Sequence, residues 1–186
     1  IIATADLLGL EKLEILTIVS QLESVSGRFQ YVISEEGNTA IIDYAHTPDA
    51  LKNVLETIND IRTGNEKVIT VVGCGGDRDA TKRPKMAHIA SQLSTQAIFT
   101  SDNPRSEDPQ QIIDEVEAGV RPENYKKTIS ILDRKQAIKT ACKLAQQGDI
   151  ILIAGKGHET YQIIGDQKTG FDDFEITNQI LTELNK

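Results

Sequence analysis

The chain lacks what a disulfide scaffold or a structural zinc site is built from. Cys74 and Cys142 are its only cysteines, far apart and without CxxC or paired spacing. Neither framework is expected, and a reducing compartment is favoured. Basic charge is also scarce: 20 Lys and Arg stand against 28 Asp and Glu, a net charge of −8. That is too little for the broad basic face a nucleic-acid partner requires. No apolar run approaches the roughly 18 residues that would cross a membrane. The chain begins Ile1-Ile2, with neither a start methionine nor a signal-like segment, so it is expected to be a piece of something longer. His46, His88 and His158 show no HxxxH or His–carboxylate spacing, and no metal site is predicted. Fixed-period repeats and low-complexity tracts are missing too.

What is present is an alternation of strand and helix signals in a chain 39% hydrophobic and 26% charged, the balance of a globular domain. Val68 to Val72 is an unbroken β-branched run, the composition of a parallel strand buried on both faces. Phe29–Ile33 and Thr39–Asp43 flank the turn Glu36-Gly37-Asn38, a hairpin signal. Further strands are predicted at Ala97–Thr100, Thr128–Leu132 and Ile150–Ala154, with a last hairpin through Gly165-Asp166. Helices are predicted from Pro48, over Pro84–Leu93, from the Asp108-Pro109 cap to about Ala118, from the Asp133 cap to about Gln147, and near Glu175–Leu184. Strands and helices alternating at this spacing predict an α/β fold: a doubly wound, mostly parallel Rossmann-like sheet with helices on both faces. Residues 1–26 carry Leu7, Leu8, Leu10, Leu13, Leu16, Val19 and Leu22 at helical spacing. They read as a short helical segment of a preceding domain, joined at Ser26-Gly27-Arg28 to a domain over 27–186.

Four loops follow strands with unusual polar sets: Asp43 to Pro48, Gly73 to Arg83, Ser101 to Arg105, and Gly155 to Glu159. In a parallel sheet the carboxyl ends of the strands share one rim, so these loops are expected to converge. Gly73-Cys74-Gly75-Gly76-Asp77-Arg78 approaches a dinucleotide fingerprint but has Arg78 where the third glycine belongs. Arg78, Lys82 and Arg83 suit a carboxylate or phosphate instead; the bland alternative is a solvated charged turn. Asp102-Asn103-Pro104-Arg105 places an acid, an amide and a guanidinium in one stiff turn, able to grip a zwitterion; otherwise it is an Asx-turn with Arg105 in water. Gly155-Lys-Gly-His-Glu159 is half of a phosphate loop without its frame, and Glu159 suits a ligand amine. Asp43, beside His46, suits ribose hydroxyls or a cap for the helix at Pro48.

Taken together, Gly27-Arg-Phe29, Asp43-Tyr-Ala-His-Thr-Pro-Asp-Ala-Leu51, Gly73-Cys-Gly-Gly-Asp-Arg-Asp79, Lys82-Arg-Pro84, Asp102-Asn-Pro-Arg105 and Gly155-Lys-Gly-His-Glu-x-Tyr-Gln162 resemble the Mur ligases in order and spacing, most closely the diaminopimelate-adding members. The resemblance covers nearly the whole chain. It implies the carboxyl-terminal domain of a three-domain, cytoplasmic, ATP-dependent amide ligase of peptidoglycan synthesis, and so of cell-wall biogenesis, cell shape and division. Such a ligase joins meso-diaminopimelate to UDP-N-acetylmuramoyl-L-alanyl-D-glutamate through an acyl phosphate, with ATP and Mg2+ used by the full-length enzyme. Separating activation from attack makes a poor electrophile reactive, and domain closure excludes water. By the same resemblance, Arg28, Asp43 and His46 face ATP, while Arg78, Asp102, Asn103, Pro104, Arg105, Gly155 and Glu159 hold diaminopimelate. The family's phosphate loop, metal ligands and carbamylated lysine belong to missing upstream domains. The fragment alone is therefore expected to be inactive, to hold no cofactor firmly and to contain no catalytic residue. A non-catalytic binding module, a lysine-adding ligase of the same family and a dinucleotide-dependent oxidoreductase are the competing readings.

Overall fold

The computed structural model describes residues 26–184; the helical segment expected before Ser26 lies outside the described residues. The elements follow in the order β1 (Gln30–Ile33), β2 (Thr39–Asp43), α1 (Pro48–Ile61), β3 (Val68–Cys74), α2 (Arg83–Leu93), β4 (Gln96–Ser101), α3 (Pro109–Glu117), β5 (Thr128–Ser130), α4 (Arg134–Leu144), β6 (Ile150–Ala154), β7 (Tyr161–Ile164), β8 (Gln167–Gly170) and α5 (Asp173–Glu183). Local chemistry starts the helices where the sequence predicts. Thr47 accepts from Ala50 N, Asp108 from Gln110 N and Gln111 N, and Asp133 from Gln136 N, each satisfying amides that a first turn leaves open. Thr47, not Asp43, caps the helix at Pro48.

Six strands form one sheet in the order β1-β2-β6-β3-β4-β5. β1 pairs antiparallel with β2, and every other pairing is parallel. All seven residues of β3 are buried, as a central strand covered on both faces must be. Alternate side chains serve two cores. Val68, Val72, Phe99, Leu152 and Ile41 meet α1, α2 and α3 on one face; Ile69, Val71, Ile98, Ile151, Ile153 and Ile42 meet α4 and α5 on the other.

The chain steps from β2 through β3 and β4 to β5 along one face. It then returns by α4 across the other to insert β6 between β2 and β3. Right-handed crossovers require that change of face when the direction of winding reverses. Several boundaries differ from the sequence reading by one to three residues, those of β5 and α4 among them. β5 stops at Ser130, although Ile131 N still donates to Phe99 O, and α4 ends at Leu144, where Ala145 turns extended. The 3-10 segments Ala80–Lys82 and Pro122–Lys127 were not foreseen from the residue pattern.

Candidate active site

The loops after β2, β3, β4 and β6 meet above β6, where connections leave to opposite faces of the sheet. Side chains diverge there and open a cavity of about 410 Å3, at the position where open α/β sheets take their ligands. Tyr44, His46 and Thr47 line it from the first loop, and Gly75, Arg78, Asp79 and Lys82 from the second. Asp102, Asn103 and Arg105 line it from the third, Gly155 and Glu159 from the fourth, and Tyr161 from β7. Of the residues singled out in the sequence, Arg28, Asp43 and Pro104 are not in this lining.

The two arginines belong to one end of the cavity. Gly76 N donates to Asn103 O at 2.9 Å, and Arg105 returns a bond from NH1 to Gly76 O at 2.8 Å and another to Asn103 O at 3.2 Å. Ser106 gives its hydroxyl and N–H to the Asp77 carboxylate at 2.6 and 3.2 Å, which holds that carboxyl below its ordinary range. Glu107 accepts from Asp77 N. These ties bring the loops so close that a Cβ on Gly76 would stand 1.9 Å from Pro104 O. The glycine is needed for loop-to-loop contact. Arg78 is exposed and, among the described residues, bonded only to Asp77 O, at 3.1 Å. With NH1 of each arginine spent on backbone, NH2 and Nε remain for a ligand.

Arg83, grouped with these cations in the sequence reading, does not belong with them. It is 1% exposed, paired with Glu107 at 2.8 Å and Glu115 at 2.7 Å. A buried guanidinium needs such partners, so it fastens α2 to α3 and the loop. Lys82 reaches the cavity but donates to His46 O at 2.9 Å. Pro104 is not what holds Arg105 in its left-handed conformation, φ 52°. That comes from the hairpin β7–β8: Arg105 N donates to Ile163 O and Gly165 N to Arg105 O, at 3.1 and 2.7 Å.

The acids gather at the other end around Lys156, a residue the sequence reading passed over. Lys156 is fully buried. Its Nζ donates to Tyr161 O at 2.8 Å and Asn103 Oδ1 at 3.0 Å, lies 3.3 Å from Asp102 Oδ1 and 3.9 Å from Glu159 Oε2. Asn103 Oδ1 also accepts from Ile163 N, so its Nδ2 is directed at Glu159 Oε2, 2.8 Å away. Burial lowers the Lys156 pKa from the usual lysine value, and the charge of Asp102 opposes that. A lysine between two glycines was the one local signal; its burial was not readable.

Asp43 closes β2 beside residues 27–29. Its Oδ2 accepts from Phe29 N and its Oδ1 from Ala45 N, both at 2.8 Å, leaving lone pairs on each oxygen. Arg28 is exposed beside it, with no partner among the described residues. Gly27 (φ 68°) and Gly157 (φ 52°) pack backbone to backbone: a Cβ on Gly157 would meet Gly27 O at 2.6 Å, which ties the fourth loop to the domain's start. The Tyr44 ring lies between His46 at 4.4 Å and His158 at 5.1 Å. Cys74 faces the core, and burial pushes its thiol up to about 11, so it is no nucleophile. Among the described residues, no three of His, Cys, Asp and Glu are grouped to hold a metal. No helix there is long and apolar enough to cross a membrane.

Residues 27–157 match the family model described as Mur ligase, glutamate ligase domain. A UDP-N-acetylmuramoyl-L-alanyl-D-glutamate--2,6-diaminopimelate ligase of Cytophaga hutchinsonii is 59% identical over 184 residues, 99% of this chain and 38% of the relative. The ligase of the same name in Bacteroides fragilis is 53% identical over 182 residues, 98% of this chain and 38% of the relative. A solved structure of a ligase with that name covers 100% of the chain with 37% of its own, at TM-score 0.80 and 38% identity. The chain thus spans well under half the length of the relatives it matches.

Proposed function

The chain belongs to the Mur ligase family, and from that premise we propose that it is the amino-acid-accepting, carboxyl-terminal part of an ATP-dependent ligase. The ligase adds meso-2,6-diaminopimelate to UDP-N-acetylmuramoyl-L-alanyl-D-glutamate in cytoplasmic peptidoglycan synthesis. The observation that carries this reading is the bipolar cavity, with Arg78 and Arg105 at one end and Asp102 and Glu159 at the other. Its cations suit carboxylates and its acids an ammonium. The pocket's residues bind and orient; none is placed to exchange a proton with the reacting amine. Phosphoryl transfer from ATP activates the acceptor carboxylate, and the phosphate loop and Mg2+ ligands for that step would lie upstream of this chain in the longer protein. Residues 27–186 are the proposed domain, and the first 26 the end of the central one.

The test is a titration of the chain with meso-diaminopimelate, followed by amide NMR shifts. Signals of Gly75, Asn103, Arg105 and Gly155 are expected to move together, and L-lysine to bind about tenfold or more weakly, since it offers Arg105 no second carboxylate. Equal affinities would favour a lysine-adding ligase, and no movement at these residues would overturn the pocket.

Asp43, His46 and Arg28 form the proposed nucleotide edge. The free lone pairs of Asp43 fit ribose hydroxyls, and Arg28, without a partner among the described residues, fits phosphate oxygens; both stand beside the proposed hinge. A charge-assisted hydrogen bond contributes about 1.5–3 kcal/mol. In the longer protein Asp43→Ala is therefore expected to raise KM for ATP about tenfold or more, with little change for diaminopimelate. An unchanged constant would leave Asp43 only the task of clasping Phe29 and Ala45.

A further inference from the structure

Lys156 has no ligand-facing role in the reading above, yet it touches every element of the acid end. Its three nearest acceptors come from two segments, Asp102 and Asn103 in the loop after β4 and Tyr161 in β7, with Glu159 in its own loop slightly farther off. The rings of Tyr161 and Phe171 lie 6.0 and 5.9 Å from Nζ. An ammonium has three protons for three acceptors, whereas a neutral amine would aim a lone pair at one of them. The geometry is that of the charged form.

Arg134 and Asp173 sit behind this group, both fully buried, and Arg134 senses the charges of Asp102 and Glu159. With carboxylates ionised, Asp102, Glu159 and Asp173 oppose Lys156 and Arg134, and one negative charge is left over. Asp102 is 6% exposed and Lys156 0%, so water screens that excess poorly.

We propose that Lys156 is a positioning residue that sets the acid end to a single net negative charge, so that this end takes one ammonium of the amino acid. The idea rests on the amino-acid pocket described above. Lys156 also fixes the Asn103 amide, holding Oδ1 toward itself so that Nδ2 restrains Glu159. The ligand then meets carboxylates already oriented.

Charge counting gives an order of affinities that a purely structural lysine would not. Asp102→Asn leaves a net charge of zero and is expected to weaken meso-diaminopimelate binding to this chain about tenfold or more. Adding Lys156→Met to Asp102→Asn returns the net charge to minus one, and should recover at least about fivefold of that loss despite removing a second side chain. Lys156→Met alone takes the net charge to minus two and leaves Asp102 buried without its cation, so it should melt earlier than the double variant.

Binding is read by NMR titration and folding by thermal melts. A double variant that binds no better than Asp102→Asn overturns the inference and leaves the pocket standing, whether it fails through charge or through loosening. A wild-type chain with no diaminopimelate response overturns both. The side-chain 15N resonance of Lys156 in the wild-type chain needs no variant. It is expected to remain that of an ammonium through about pH 8, and titration to the amine below about pH 7 would refute the charge count.

Discussion

Asp173→Ala is expected to cost the domain about 3–5 kcal/mol, the usual consequence of leaving one member of a buried ion pair alone. Arg134 grips Asp173 through Nε at 2.9 Å and NH2 at 2.7 Å, with both side chains fully buried. NH2 also donates to Ala154 O, the residue before Gly155, while NH1 has no partner among the described residues. Burial pulls the Arg134 pKa down, but the charge of Asp173, with its hydrogen bonds and the nearby carboxylates, more than offsets this, and the net shift is upward. The guanidinium therefore stays charged, and alanine at 173 strands it. The melting temperature should drop by roughly 6–20 °C for a domain of this size. Urea unfolding should show an earlier midpoint at unchanged slope. Arg134→Met/Asp173→Leu removes both charges together and should lose far less. Because that pair is neutral, the double variant should also keep its affinity for diaminopimelate. A loss below about 1 kcal/mol for Asp173→Ala would mean that water reaches Arg134.

Arg105→Ala in the longer protein is expected to lower kcat/KM for meso-diaminopimelate at least about thirtyfold, roughly 2 kcal/mol of transition-state stabilisation. Lysine turnover, where measurable, should fall far less. The two amino acids share a zwitterionic end and a second ammonium and differ by one carboxylate, which only a fixed cation distinguishes. Arg105 is the fixed one: half-buried, anchored by NH1 to Gly76 O and clamped at its backbone by Ile163 and Gly165. Arg78 is exposed with a single bond to Asp77 O, and gives up more rotamer freedom on binding. Arg105→Lys keeps the charge but loses the fork, and should fall between wild type and alanine. Equal losses for both amino acids would put Arg105 on their common end. A loss below about threefold would remove it from the pocket.

The parallel sheet was legible because strands covered on both faces are rich in β-branched and apolar residues, as Val68–Val72 and Ile150–Ala154 are. The helix starts were legible in Pro48, Asp108 and Asp133 because proline at the first turn and a cap side chain act within three residues of themselves. Convergence of the four loops followed from parallel pairing, and His46, Arg78, Asp102, Asn103, Arg105, Gly155 and Glu159, assigned to ligands through the family resemblance, line one cavity there.

The chain's local pattern thus determined where strands and helices form, which face each residue takes and which loops share a rim, since periodicity, capping and turn chemistry are short-range. Tertiary structure alone decided which charges are spent inside the protein and which remain for a ligand. Arg83 and Arg78 look alike in sequence, yet one is locked to Glu107 and Glu115 while the other, among the described residues, holds only a backbone carbonyl. Lys156 meets Asp102 and Asn103 from more than 50 positions away, and Arg134 meets Asp173 across 39. Desolvation and Coulomb attraction act through space, and which groups lose their water depends on the packing of every element around them.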